Sequence, residues 1–303
     1  MSRENTRKWT IYLVLVLFLV SLVTASFYLI FYGSDFHIKG DEVAVIHVQG
    51  VMLTGSIPAG IGIATSEDIT TSLRTANEDD RIRAVVLRVN SPGGSPAAAQ
   101  EIICEIKKMD KPVVVSMGDV AASAAYYISA PADKILANPG TITGSIGVIW
   151  TFENKTSFYE EEGVEHYVAK SGEFKDMGAD WRGLTDAEKI YADKTILEVY
   201  DRFVTEVAQG RNLTKSEVRD IADGRIYTGS KAKKLGLVDE LGNLYDAVDD
   251  AAKLADIEGA PVIVYLNKPS LARILFGSEE AKHFTSYYTN NDYGQLDCYA
   301  IKS

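Results

Sequence analysis

The stretch AVVLRVNSPGGSPAAAQEIICEIKKMDKPVVVSM, residues 84–117, decides the fold. It opens on AVVLRV (84–89) and closes on PVVVSM (112–117), two short apolar runs rich in β-branched residues. Such near-continuous runs fit strands buried on both faces, since a one-sided strand would alternate polar and apolar residues. Between them a helix is predicted near 97–108. A third run, VAVIHV (43–48), precedes another predicted helix near 67–77. Strand and helix alternating at this spacing predict an α/β fold with largely parallel strands. Further strands are expected near 134–137, 146–150 and 164–169. Over 186–209 the pattern turns helical, with Ile190, Leu197, Tyr200, Val204 and Val207 on one face and Thr185 with Glu188 as a capping pair. Shorter helices are expected at 217–222 and 230–235, and a last one at 243–255.

Working outward toward the N-terminus, Trp9 to Tyr32 contains no charged residue and is rich in Leu, Val, Ile and Phe. As a helix it would span roughly 36 Å, enough for a bilayer's hydrocarbon core. Arg3, Arg7 and Lys8 precede it, while Asp35, Asp41 and Glu42 follow. The positive-inside rule then gives a cytoplasmic stretch 1–8, a lipid-embedded transmembrane anchor 9–32 and a connector 33–42. The domain 43–268 lies on the extracytoplasmic side, followed by a polar, aromatic tail 269–303. A cleaved signal peptide is the other reading, from Val23-Thr24-Ala25, but the apolar stretch runs past that site.

The formal charge is -11. Residues after Tyr32 carry more than all of it, and such an acidic surface repels phosphate backbones, so no nucleic-acid partner is expected. Cys104 and Cys298 form no framework, and the fold is expected to hold without disulfides. The four histidines are scattered, so no metal site is expected.

Three turns rich in small residues could carry chemistry. Asn90-Ser91-Pro92-Gly93-Gly94 follows a strand, and paired glycines there let the backbone aim N–H groups at an anion, although the same residues make a simple turn. Ser123 sits between a strand expected to end at Met117 and an alanine-rich helix, where free N–H groups favour negative charge and small neighbours leave room for a peptide. A tight packing contact would use the same small residues. Lys175 follows Lys170-Ser171-Gly172, and a lysine can act as a base only where burial and neighbours lower its pKa. Ser145, in Thr143-Gly144-Ser145, could orient a lysine amine. His166 lies in an expected strand with no acidic partner placed to make a triad.

Taken in order, VLRVNSPGG (86–94), KPVVVSMGDVAASAAYYIS (111–129), ANPGTITGSIGVI (137–149), KSGEFKD (170–176) and DGRIYTGSKAKKLGLVDELG (223–242) resemble the signal peptide peptidase A family of serine proteases, within the Clp-protease/crotonase-like superfamily. The resemblance implies a β-β-α spiral fold, a nucleophile at Ser123 and a general base at Lys175. It also implies an oxyanion hole at Gly94, with the Ala124 N–H as second donor, and a lysine-orienting hydroxyl at Ser145. No cofactor is implied. The implied partners are signal-peptide remnants as substrates and further copies of the chain in a homo-oligomer. Where family members commonly have two glycines after the nucleophile, this chain has Ala124-Ala125, and the two methyl groups are expected to narrow the groove. A protease acting on a membrane partner such as a stomatin-like scaffold, a silent peptide-binding scaffold and an acyl-CoA-processing relative are the alternatives.

Overall fold

The computed structural model describes residues 9, 12–24, 40–55 and 62–267. The chain divides into two units, Met1–Gly40 and Asp41–Ser303. In the first, helix α1 covers residues 12–24 with its apolar side chains exposed. Among the described residues no helix is long and apolar enough to cross a membrane. Much of the expected 9–32 anchor lies outside those residues, as do 1–8, most of the connector and the tail 269–303.

The second unit is built on parallel strands. In chain order it contains β1 (Glu42–Gln49), β2 (Val51–Leu53), β3 (Ile63–Thr65), α2 (Ser66–Glu78), β4 (Ile82–Ser91), α3 (Pro96–Lys107), β5 (Val113–Ala122) and α4 (Ala124–Ser129). Then follow β6 (Lys134–Ala137), β7 (Ile142–Gly144), α5 (Thr156–Glu161), a 3-10 turn (Glu173–Asp176), α6 (Asp186–Gly210) and α7 (Lys215–Ile221). The unit closes with β8 (Ile226–Thr228), α8 (Gly229–Lys234), β9 (Glu240–Leu241), α9 (Leu244–Leu254) and β10 (Val262–Tyr265). The main sheet runs β10-β1-β4-β5-β6-β9, all parallel, while β2 and β3 form a separate parallel pair. This mixed α/β architecture agrees with the fold class read from the alternating runs.

Burial explains why the runs are apolar throughout. Ala44, Ile46, Val85, Leu87 and Val115 face a core shared with α2, α3, α4 and the C-terminal half of α6. Val43, Val45, Ala84, Val86 and Val114 face α9 on the other side. Each strand therefore loses water on both faces, and the hydrophobic effect favours an apolar residue at every position.

Three expectations are corrected. The stretches 146–150 and 164–169 form no strand, because among the described residues no strand pairs with them. The strand expected to stop at Met117 runs on to Ala122. Val89 pairs with Met117 but Ser91 pairs with Ala121, so β5 absorbs Gly118–Val120 as a bulge and resumes. Asn90 supports that bulge by accepting from the Val120 N–H through Oδ1 at 3.1 Å. Finally, Cys104 on α3 is disulfide-bonded, contrary to the expectation of a fold without disulfides; its partner lies outside the described residues.

Candidate active site

The bulge delivers the end of β5 to a sharp corner. Ser123 stands between β5 and α4 with φ 55° and ψ -125°. Positive φ costs a residue with a side chain about 1–3 kcal/mol, and it persists only when the surroundings fix it. Here both sides are pinned: the Ser123 N–H donates to the Gly144 carbonyl at 2.9 Å, and its own carbonyl accepts from the Tyr127 N–H at 2.9 Å. The Ser123 hydroxyl makes no cap bond to α4.

The loop after β4 presses against this corner. A Cβ on Gly93 would lie 2.9 Å from the Ala122 oxygen, the Ala124 nitrogen and the Ser123 Cβ, so only glycine allows the contact. Gly94 is tied to β2 on one side. Met52 N–H donates to the Gly93 carbonyl and Ser95 N–H donates to the Met52 carbonyl, each at 2.8 Å. In such a parallel bridge the N–H of Gly94 itself points away from β2. The Gly93 N–H is taken by the buried Ser91 hydroxyl at 3.1 Å, whereas the Gly94 N–H has no acceptor among the described residues. The Ala124 N–H lies in the first turn of α4, where no carbonyl of the helix can reach it.

Ser145 arrives by strand pairing. β7 runs parallel to the end of β5 with Ala122 opposite Gly144, so Ser123 and Ser145 leave neighbouring strand ends together. The Thr143 hydroxyl locks this register by donating to the Ala121 carbonyl at 2.6 Å. Ser123, Gly94, Ala124 and Ser145 all line one cavity of about 570 Å³. Its walls include Tyr127, Ile149, Leu197, Tyr200 and Phe203, which suit apolar side chains. The carboxylate on that lining, Asp223, is occupied by Arg225, whose Nε donates to both its oxygens at 2.8 Å. That bond holds the Asp223 carboxyl below the usual range.

Lys175 lies elsewhere in the single chain. It is exposed on the 3-10 turn, within an arm between β7 and α6, and is absent from the cavity lining. His166 is also outside the cavity, stacked on Trp181 at 5.0 Å and edge-on to Tyr159 at 4.8 Å. The sequence reading missed two contributors, Gly93 as the contact that seats the loop and the α6 wall of Leu197, Tyr200 and Phe203. The glycine pair was visible, but its division of labour depends on Met52, which lies on a strand too short to register as a pattern. The α6 side chains carry the ordinary periodicity of a core-facing helix.

A parallel sheet, a glycine loop and a strained serine beside it define a protein of the Clp-protease class, and residues 45–140 match the Clp protease family. Residues 105–258 match peptidase family S49. The chain belongs to that family and is a serine endopeptidase by membership. An Enterococcus faecium protein, provisionally named signal peptide peptidase SppA, is 41% identical over 204 residues, covering 66% of this chain and 59% of the relative. A provisionally named protease of Methanocaldococcus jannaschii is 34% identical over 266 residues, covering 85% of this chain and 86% of the relative. Protease 4 of Salmonella typhi is 36% identical over 243 residues, covering 79% of this chain and 39% of the relative. The chain thus spans less than two thirds of the first and last of these. The solved structure of the 1510-N membrane-bound stomatin-specific protease, as a serine-to-alanine mutant, has a TM-score of 0.51 at 15% identity, covering 77% of this chain and all of that one. That likeness concerns the fold alone.

Proposed function

We propose that this chain is a membrane-anchored endopeptidase working through a Ser123/Lys175 dyad, with Lys175 reaching Ser123 from a second copy of the chain. The observation that carries this reading is the single cavity where Ser123, Gly94, Ala124 and Ser145 converge while Lys175 stays exposed outside it. The neutral Lys175 amine takes the Ser123 proton as Oγ attacks a peptide carbonyl. The developing oxyanion accepts from the Gly94 and Ala124 N–H groups. The lysine ammonium then gives its proton to the leaving amine, and water repeats the cycle to release the acyl group. Ser145 holds the amine in line.

Such a base must be kept dry, and a second copy covering the arm would exclude water from it. The arm is dressed for that. Ile149 is 89% exposed and Tyr167 95%, and Trp150, Phe158, Val168 and Phe174 on the same arm are also exposed. The strandless stretch 165–169 makes no backbone hydrogen bond among the described residues, which suits pairing with another chain. The apolar cavity favours signal-peptide remnants and other membrane-released peptides. The uncharged 9–32 segment, with cations before it and acids after it, supports an anchor that leaves the domain on the extracytoplasmic side.

Hydrolysis of an apolar signal-peptide fragment by the full chain tests this. Wild type should cleave while Ser123→Ala and Lys175→Arg should not, since arginine cannot give up its proton. Near-normal cleavage by Lys175→Arg would remove lysine from the mechanism.

A further inference from the structure

The arm that carries Lys175 lacks a hydrophobic core, yet it contains one cluster of charged side chains withdrawn from solvent. Arg182 lies at its centre. Its Nη2 and Nε donate to Asp176 Oδ1 and Oδ2 at 2.7 and 3.1 Å, a two-pronged fork on the residue next to Lys175. Its Nη1 and Nη2 also donate to Glu188 Oε2 and Oε1 at 2.8 and 2.6 Å. Lys170 closes the other side, donating from Nζ to Asp176 Oδ1 at 2.7 Å and to the Glu173 carbonyl at 2.9 Å. The Asp176 and Glu188 side chains are 10% and 2% exposed, on a segment whose other side chains are mostly open to solvent.

Glu188 belongs to the capping box that starts α6, where its Oε2 also accepts from the Thr185 N–H at 2.8 Å. The far end of α6 is buried in the core through Phe203, Val204 and Val207. The chain of contacts therefore runs from the core, along a rigid helix, through one guanidinium, to the turn holding Lys175. Fixing a turn this way is a task for arginine, whose planar fork binds two carboxylates at defined angles; an ammonium would bind them as a point charge. Compared with well-packed apolar residues a buried ion cluster contributes little net stability, although removing one partner from it is costly, so geometry is what this one adds.

We propose that Arg182, gripping Asp176 and Glu188, is a positioning residue that sets the Lys175 amine for catalysis. This rests on the Ser123/Lys175 reading above. A misplacement of about 1 Å at a reacting group costs on the order of 10²-fold in rate, so loosening the grip should reduce turnover more than binding.

The test uses the full chain in detergent micelles, with kcat, KM and thermal midpoint measured on one apolar peptide. Arg182→Gln should lower kcat at least about tenfold with KM changed by less than about twofold, assayed well below its own thermal midpoint, which falls because Asp176 and Glu188 lose their cation. Arg182→Lys should fall between it and wild type. Arg182→Gln combined with Asp176→Asn should be no worse than either alone, because both break the same grip. Wild-type kcat in Arg182→Gln, loss of kcat only in step with the thermal midpoint, or multiplying effects in the pair would each overturn the proposal. Lys175→Arg is assayed alongside. Activity in that variant would defeat the dyad itself, whereas an inactive Lys175→Arg beside a fully active Arg182→Gln would defeat only the positioning role.

Discussion

Ser123, Gly93 and Gly94 make the corner work through backbone conformations that few residues tolerate. The sequence named Ser123, Gly94, Ala124 and Ser145 as candidates, and they meet at one cavity because β7 pairs with the end of β5 while Met52 pins the glycine loop. What the sequence could not carry is the direction of the Gly94 N–H, which depends on Met52, 42 residues upstream in the chain. Gly94→Ala is the sharp test of that direction. Its Cβ would fall 2.1 Å from the Met52 carbonyl oxygen, so β2 and the loop must part and the N–H must swing. Turnover should fall on the order of 10²–10³-fold, as for the loss of an oxyanion donor. Peptide kinetics close to wild type would show that this N–H plays no part.

Most helices were legible because they carry local signals, whereas α5, with no side-chain cap, was not expected. Thr185 with Glu188 and Asn243 with Asp246 form capping boxes, and Thr214 with Glu217 makes a third, so each boundary is written within four residues. Thr185→Ala should cost about 1 kcal/mol in urea unfolding, the usual price of an N-cap. Strands were legible only where β-branched residues run together. Ile146–Trp150 and Val164–Ala169 were expected as strands but have no strand partner among the described residues, and composition alone cannot show whether a stretch will find one. The arm's charges make a pH prediction. Arg182 and the Thr185 N–H hold the Glu188 carboxyl down at about 2, and Arg182 with Lys170 holds Asp176 well below the carboxylate range. A lowered folded-state pKa gives stability that is complete above the unfolded value of about 4.3 and is lost as pH falls through the folded one. The urea midpoint difference between wild type and Glu188→Gln should therefore stay constant from pH 8 to about pH 5 and shrink toward zero near pH 2. A difference that varies between pH 8 and pH 6 would mean another group controls the arm.

The whole molecule places a two-sided parallel sheet under the serine and sends Lys175 outward on an arm covered with apolar side chains. The sheet follows from sequence because its strands are buried on both faces within one chain. The placing of Lys175 does not follow from sequence, because nothing local to KSGEFKD says that it lies away from the cavity lined by Ser123. If two copies complete each other, two defective chains can cover each other's loss. Co-expressing Ser123→Ala with Lys175→Arg puts an intact Ser123 opposite an intact Lys175 wherever unlike chains adjoin in the required order. Each variant alone should be inactive, and mixed oligomers should recover up to about a quarter of wild-type peptidase activity. Mixed oligomers as inactive as either parent would contradict a dyad shared between chains.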